Sequence, residues 1–171
     1  LVTSISKILS NWCYRMKGLS GKEVELIAAL EYDHKQFFTS EYIDKIVKNK
    51  TQRYNLIKSL LRKKRIVKLN KTKYYLMPFK AKYGSWSEHP FIVADEVCNG
   101  VDYFIGGWGA AHHWGLTDQL PMQVDVYTTK RQGKLKVLNT RLVFHRTTTR
   151  KIEQAVIEKK GEHPFKIMNK E

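Results

Sequence analysis

"TQRYNLIKSLLRKKRIVKLNKTKYYLMP", residues 51–78, changes its period halfway along and is cationic throughout. Leu56, Ile57, Leu60 and Leu61 recur at helical spacing, which predicts a helix with that stripe buried. At about 100° per residue the opposite face carries Thr51, Asn55, Lys58, Ser59 and Arg62, with Gln52 and Arg53 in the same first turns. Past Arg65 the period drops to two. "IVKLNKTKYYLMP" predicts two short strands around an Asn70-Lys71-Thr72 turn, a hairpin tipped by Lys71 and Lys73. From Lys45 to Lys73 the chain has twelve lysines and arginines and no aspartate or glutamate. A solvated surface is better served by mixed signs, so an acid-free run of this length points to a polyanion.

Upstream, "SGKE" has the spacing of a capping box, Ser20 capping and Glu23 reaching back, ahead of the helical "VELIAALEY". Thr39 or Ser40 is placed to cap a short helix in which Ile43, Ile46 and Val47 share a face. Asn49-Lys50 makes the next turn, and Thr51 is placed to cap the helix that follows. Before all of these, Ile5, Ile8, Leu9, Trp12 and Met16 predict an amphipathic N-terminal helix that Gly18 can stop. Helices followed by a basic hairpin read as a winged helix-turn-helix over residues 1–77, with an extra helix in front. Its last helix would read bases, since asparagine pairs bidentately with adenine and arginine with guanine, while lysine and serine serve phosphate or base. Tyr74 and Tyr75 can stack on sugars or bases, although aromatic residues of a wing strand more commonly enter the core.

The whole chain agrees with that partner. It has 171 residues, with 31 lysines and arginines against 16 acids, a formal net charge of +15. Residues 1–77 carry 17 basic and 6 acidic groups, net +11, and the remainder only +4. Double-stranded DNA is the expected partner and an anionic membrane surface the lesser one. Cys13 and Cys98 share no metal-type spacing, which suggests a reducing cytoplasm rather than a disulfide framework or a zinc site. No apolar stretch approaches the roughly 20 residues of a membrane span. "LVTSISKILSNW" is too polar for a signal peptide, and the missing initiator Met suggests processing or trimming.

Residues 78–87 have linker and turn chemistry around Gly84-Ser85. Beyond them, residues 88–171 predict a small α+β domain. "HPFIVADEVC" is a helix stopped near Asn99-Gly100, "DYFIG" a strand, and "GWGAAHHWGLTDQLP" a helix of small and aromatic residues ending at Gly115. "MQVDVYTTK" and "GKLKVLNTRLVFHRT" alternate as strands, separated by Arg131-Gln132-Gly133.

The run "YYLMP", "PFIVADEV", "DYFIGGWGAAHHWGLTDQLP", "VDVYTTK" and "LVFHR", in that order, resembles the AbiEi family of antitoxins and transcriptional regulators of type IV toxin-antitoxin systems. The resemblance is most specific in "YFIGGWGAAHHWGLTDQ", whose Trp108, Ala111, His112, Gly115, Leu116, Thr117, Asp118 and Gln119 mark the antitoxin-domain motif. It implies a repressor that binds inverted repeats in its own promoter through the N-terminal domain. It also implies a C-terminal domain that antagonises a nucleotidyltransferase-like toxin, generally without a stable complex. The family usually continues past the segment matching "PFKIMNKE", so the end at Glu171 implies a short member or a fragment.

Little in the chain predicts catalysis, a cofactor or a metal. His112 and His113, with His89 and His145, have no ligand spacing, because adjacent histidines on a helix point about 100° apart. Asp125 and Lys130 lack the second acid that a metal-dependent nuclease places one residue before the lysine, where Thr129 stands. Asp118 and Gln119 suit a hydrogen-bonded turn or a partner contact, while Trp86, Trp108 and Trp114 are expected in the core. Three function classes follow: a DNA-binding antitoxin that represses its own operon, a winged-helix regulator with no toxin, and an enzyme acting on nucleic acid. The first is the expectation, with no enzymatic activity.

Overall fold

The computed structural model describes residues 18–79, 81 and 88–170. The helix expected from Ile5, Ile8, Leu9, Trp12 and Met16, together with Cys13, Trp86 and most of the 78–87 linker, lies outside the described residues. Among the described residues the chain is mixed α+β, with six helices and two sheets. It divides into two compact units, Leu1–Gly84 and Ser85–Glu171.

In the first unit α1 (Gly21–Tyr32) begins with the capping box. The Glu23 amide donates to Ser20 Oγ at 3.4 Å, and the Ser20 amide donates to Glu23 Oε2 at 2.5 Å. The helix ends where His34 takes a positive φ of 53°, and the chain turns into β1 (Phe37–Thr39). The sequence pattern predicts only a helix cap at this point. A three-residue strand has too few residues to show a period, and it exists because β3 pairs with it. Thr39 is the N-cap residue of α2 (Ser40–Ile46), without a side-chain cap bond.

Asn49, not Thr51, caps α3 (Lys50–Arg62): its Oδ1 accepts from the Thr51 amide at 2.9 Å and the Gln52 amide at 3.2 Å. The short asparagine side chain reaches both free amides of the first turn, so the helix starts earlier and Thr51 falls inside it. Next come β2 (Ile66–Lys68) and β3 (Lys73–Leu76), with β3 in the middle of a β1-β3-β2 antiparallel sheet. Leu26, Leu30, Ile43, Leu56, Leu60 and Ile66 form the core between helices and sheet, all nearly inaccessible. Each buried side chain of this size contributes about 1.5–3 kcal/mol.

The second unit opens with α4 (Pro90–Cys98), which has proline in its first turn and is stopped by Asn99 in the left-handed region. After β4 (Tyr103–Gly106) the chain enters α5 (Gly107–His113) with no loop between. A Cβ on Gly106 would lie 2.7 Å from Tyr127 Cε2. At Gly107, where φ is +59°, it would lie 2.9 Å from Asp125 Oδ2, so both positions require glycine. The sheet continues with β5 (Val124–Thr128), β6 (Gly133–Val137), β7 (Thr140–Arg146), α6 (Thr149–Glu153), β8 (Val156–Lys160) and β9 (His163–Ile167). Its order is β6-β7-β5-β4-β9-β8, with the β4/β9 and β5/β7 pairs parallel and the others antiparallel.

The predicted single strand over 133–147 folds as a hairpin. Leu138 and Asn139 both take positive φ, 48° and 60°, as a two-residue type I′ connection requires. Leucine there gives no turn signal, which is why the alternation runs through the turn unmarked. The edge strands β6 and β8 are largely exposed and carry Lys134, Lys136, Lys159 and Lys160, which discourage pairing with another chain. Among the described residues no helix is long and apolar enough to cross a membrane.

One buried ion pair anchors the first unit. Glu23 is 2% exposed, and Lys63 Nζ, just past the end of α3, lies 2.6 Å from its Oε2. Burial pushes the carboxyl pKa upward, but hydrogen bonds from Lys63, the Ser20 amide and Ser59, with the charge of Lys63, hold it at about 2, against an ordinary 4.5. The folded-state value is depressed, so this stabilisation is fully present above about pH 4.5 and is lost as the pH falls toward 2. Glu23→Gln is expected to weaken the unit by roughly 2–3 kcal/mol at neutral pH and to flatten its acid dependence in that window. Hydrogen exchange of the α1 and α3 amides in the full chain measures both. Protection as strong as in the parent would show that the pair carries no stability.

Candidate nucleic-acid interface

The outer surface of α3 is fixed by what its inner surface buries. Leu56 and Leu60 are inside, Ile57 and Leu61 half-buried, and Thr51, Gln52, Tyr54, Asn55, Lys58 and Arg62 exposed. Tyr54, 64% exposed with Lys58 Nζ 6.0 Å from its ring centroid, joins this surface, and sequence reasoning missed it. The helical wheel contains the signal, since position 54 lies next to position 58 on the side away from the apolar stripe.

Not every predicted contact residue is available. Arg53 is half-buried and ion-paired with Asp44 of α2. Ser59 is half-buried and hydrogen-bonds toward Glu23. Gln52 Oε1 accepts from Lys22 Nζ at 2.8 Å. Asn55, Gln52 and Ser59 line a groove of about 530 Å³ between α3 and the start of α1, with Lys22, Glu23 and Lys63. Thr51, Lys58 and Arg62 do not line it.

Eleven of the twelve cations of the acid-free run therefore fall into two sets, the half-buried Lys73 standing apart. Arg53, Lys63 and Arg65 hold the unit together. Lys63 binds Glu23 and the Gly18 carbonyl. Arg65, 8% exposed, donates from Nη2 to the Met77 carbonyl at 3.1 Å and lies 4.1 Å from the Phe79 ring centroid. Lys45, Lys48, Lys50, Lys58, Arg62, Lys64, Lys68 and Lys71 are exposed, and none is ion-paired among the described residues. They sit on α2, in the turn before α3, on the outer face of α3, and on the segment and hairpin after it.

At the hairpin tip Asn70 Oδ1 accepts from the amides of Thr72 and Lys73, each at 2.9 Å, which shapes the turn and leaves Lys71 exposed. Lys73 is half-buried opposite Thr39 of β1. Neither tyrosine is open to a base. Tyr74 is 7% exposed and stacks on Phe38 with centroids 5.8 Å apart; Tyr75 is fully buried against Phe37 at 5.0 Å. Pairing β3 between two strands, one of them unpredicted, puts both rings in the interior.

In the second unit the structure spreads the motif residues over a helix and the turn after it. His112 Nδ1 lies 3.2 Å from the Thr117 carbonyl, and Thr117 Oγ1 accepts from the Gln119 amide at 3.2 Å, so this turn is internally bonded. Gly115 at φ +67° ends the helix, and the Leu116 amide returns to the Ala111 carbonyl at 2.9 Å. Asp118 and Gln119 are exposed. Ala111 is only half-buried. The close packing falls on Gly109, where a Cβ would lie 3.5 Å from Phe91, and on Ala110, 5% exposed. Trp108 is 61% exposed rather than in the core, near the exposed Leu116, Leu120 and Met122 in sequence. Trp114 is half-buried and donates from Nε1 to the Met168 carbonyl at 2.9 Å.

The four histidines considered as ligands have separate roles. His89 caps α4, His112 holds the turn, His113 packs on Phe91, Trp114 and Phe165, and His145 Nε2 lies 2.8 Å from Asp125 Oδ1. Lys130 is 3.7 Å from Asp102, so Asp125 and Lys130 have different partners. A cluster that sequence reasoning missed joins Asp95, Glu96 and His163, with ligand-type atoms within 4.8 Å of one another. His163 Nε2 is 3.0 Å from Asp95 Oδ2, and the Tyr103 hydroxyl donates to Asp95 Oδ1 at 2.5 Å. Both Asp95 oxygens are thus engaged, and the cluster ties α4 to β4 and β9. Its members are far apart in sequence and leave no spacing signal. Burial pushes the Cys98 thiol up to about 12, which favours its protonated form. Set beside known proteins, the chain matches no family model and no curated protein.

Proposed function

We propose that this chain is a DNA-binding antitoxin that represses its own toxin-antitoxin operon and counteracts a nucleotidyltransferase-like toxin without catalysis and without a stable complex. The observation that carries the DNA-binding half is the sorting of cations. After Arg53, Lys63 and Arg65 are withdrawn into the fold, the exposed cations still run without an acid from α2 through α3 to the hairpin. Three helices and a three-stranded sheet with a lysine-tipped hairpin support reading the first unit as a winged helix-turn-helix. In that reading α3 enters the major groove and the hairpin lies along the backbone. The antitoxin half rests on the resemblance of "YFIGGWGAAHHWGLTDQ" to AbiEi proteins. Co-expressing the chain from an independent promoter with a nucleotidyltransferase-like toxin, should one be encoded next to it, tests that half by growth rescue. No rescue would leave a promoter-binding regulator.

Asn55 and Arg62 are the exposed α3 side chains suited to base edges. Asn55→Ala or Arg62→Ala is expected to cost about 1–3 kcal/mol on the preferred duplex and much less on random duplex. Equal losses on the two would reduce these residues to phosphate contacts.

Lys68 and Lys71 are exposed on the hairpin. Replacing each with alanine is expected to lower the slope of log K against log salt by about 0.9. Lys63→Ala is expected to leave that slope unchanged while lowering stability, because its charge is already matched by Glu23. Filter binding across a salt series measures all three, and a slope unmoved in the double hairpin variant would place the hairpin off the DNA.

A further inference from the structure

Three large apolar side chains of the second unit, Trp108, Leu120 and Met122, are 61%, 78% and 91% exposed. They line one groove of about 420 Å³ with Gln119, Gln123 and Asp125. Asp125 is the only charged group lining it among the described residues, and it is 8% exposed. Its two oxygens differ. Oδ1 meets His145 Nε2 at 2.8 Å and Gln123 Nε2 at 3.4 Å. Oδ2 has no partner among the described residues and is not sealed from solvent. Gly107 makes room for it: a Cβ there would lie 2.9 Å from Oδ2, so the missing side chain brings the carboxylate against the chain directly before Trp108. A neutral His145 with its hydrogen on Nε2 donates to Oδ1 and leaves the carboxylate its charge. No other ring packs on Trp108 among the described residues. The groove thus combines an open indole with a nearly buried anion that has one acceptor oxygen unused, and such an oxygen is costly until a donor or cation reaches it.

We propose that this groove receives an arginine side chain of a partner protein: the guanidinium stacks on Trp108 and donates to Asp125 Oδ2, and its stem lies along Leu120 and Met122. A lone carboxylate in an otherwise uncharged groove selects a cation. Arginine suits the groove better than lysine because its planar, weakly hydrated head stacks on an indole and carries five donors. The amide oxygens of Gln119 and Gln123 accept donors that Asp125 leaves over. Its apolar stem covers hydrocarbon that a bare cation would leave wet. The exposed rim also favours a protein over a small free cation, since residues flanking the arginine can cover Leu120 and Met122. Tryptophan, methionine and arginine are the residue types that interfaces gather.

The test is an NMR titration of the 15N-labelled full chain, following the Trp108 indole and the Gln123 side-chain amide. The probes are capped Gly-Ala-Arg-Ala-Gly, the same peptide with lysine or with citrulline in the middle, and ethylguanidinium. The arginine peptide is expected to shift both signals at millimolar concentration. The lysine peptide should bind more weakly, and the citrulline peptide, which keeps the shape without the charge, should not bind. Asp125→Asn is expected to weaken the arginine peptide by about tenfold. Trp108→Leu changes an exposed side chain and keeps the idea falsifiable should the first variant unfold; followed at Gln123, it is expected to weaken the peptide by about threefold. Absence of binding, equal binding of the citrulline peptide, or indifference to Trp108→Leu would overturn the proposal. Ethylguanidinium binding as tightly as the peptide would make this a small-cation site instead. Sedimentation covers the remaining occupant: a dimer that Trp108→Leu dissociates would put a second copy in the groove and likewise overturn it.

Discussion

A small unit that concentrates positive charge must keep its own cations from pushing it apart, and the first unit does so by taking three of them inward. Glu23 is central because it does two jobs with one carboxylate: it closes the capping box on Ser20 and receives Lys63 from beyond the end of α3. The start of α1 is thereby fixed to the end of α3 by a charge pair shielded from water. Asp44 holds Arg53 near the other end of α3, and Arg65 settles over Phe79 with a carbonyl to bind. Held at both ends, α3 has its rotation set, and its outer residues follow from that rotation rather than from their own preferences.

This explains which features could be read from the sequence. The capping box, the apolar stripe of α3 and the Asn70 turn are local devices whose residues lie within a few positions of one another. Sorting the cations is different. Nothing local distinguishes Lys63 from Lys64, or Arg53 from Lys58; the distinction is made by Glu23 and Asp44, distant in sequence or on another helix. Strand β1 and the fate of Tyr74 and Tyr75 share that origin, because burial of the tyrosines follows from pairing β3 on both sides.

In the second unit the alternation of β4, β5 and β7 was plain in the sequence, but their neighbours were not. The hairpin at Leu138-Asn139 uses a residue poorly suited to left-handed backbone, so its turn was silent. Small residues in "GWGAAHH" correctly signal close packing, yet the helical register assigns it to Gly109 and Ala110 and leaves Ala111 half out. Trp108, the largest side chain of that helix, is turned to solvent. Asp95 and His163 meet only because β9 returns to the sheet beside β4.

That return has a kinetic side. β4 lies inside the sheet, with β5 on one side close in sequence and β9 on the other near the end of the described chain. Its parallel pairing, Ile105 with Ile167, is among the longest-range contacts of the unit. Closing so large a loop is entropically costly before any contact repays it, and non-local pairing slows folding. On the ribosome, the helices of the first unit can form while the rest is being made. The second unit cannot fill the open side of β4 until Ile167 has emerged. Synthesis through β9 thus becomes a condition for the second unit that the first does not share.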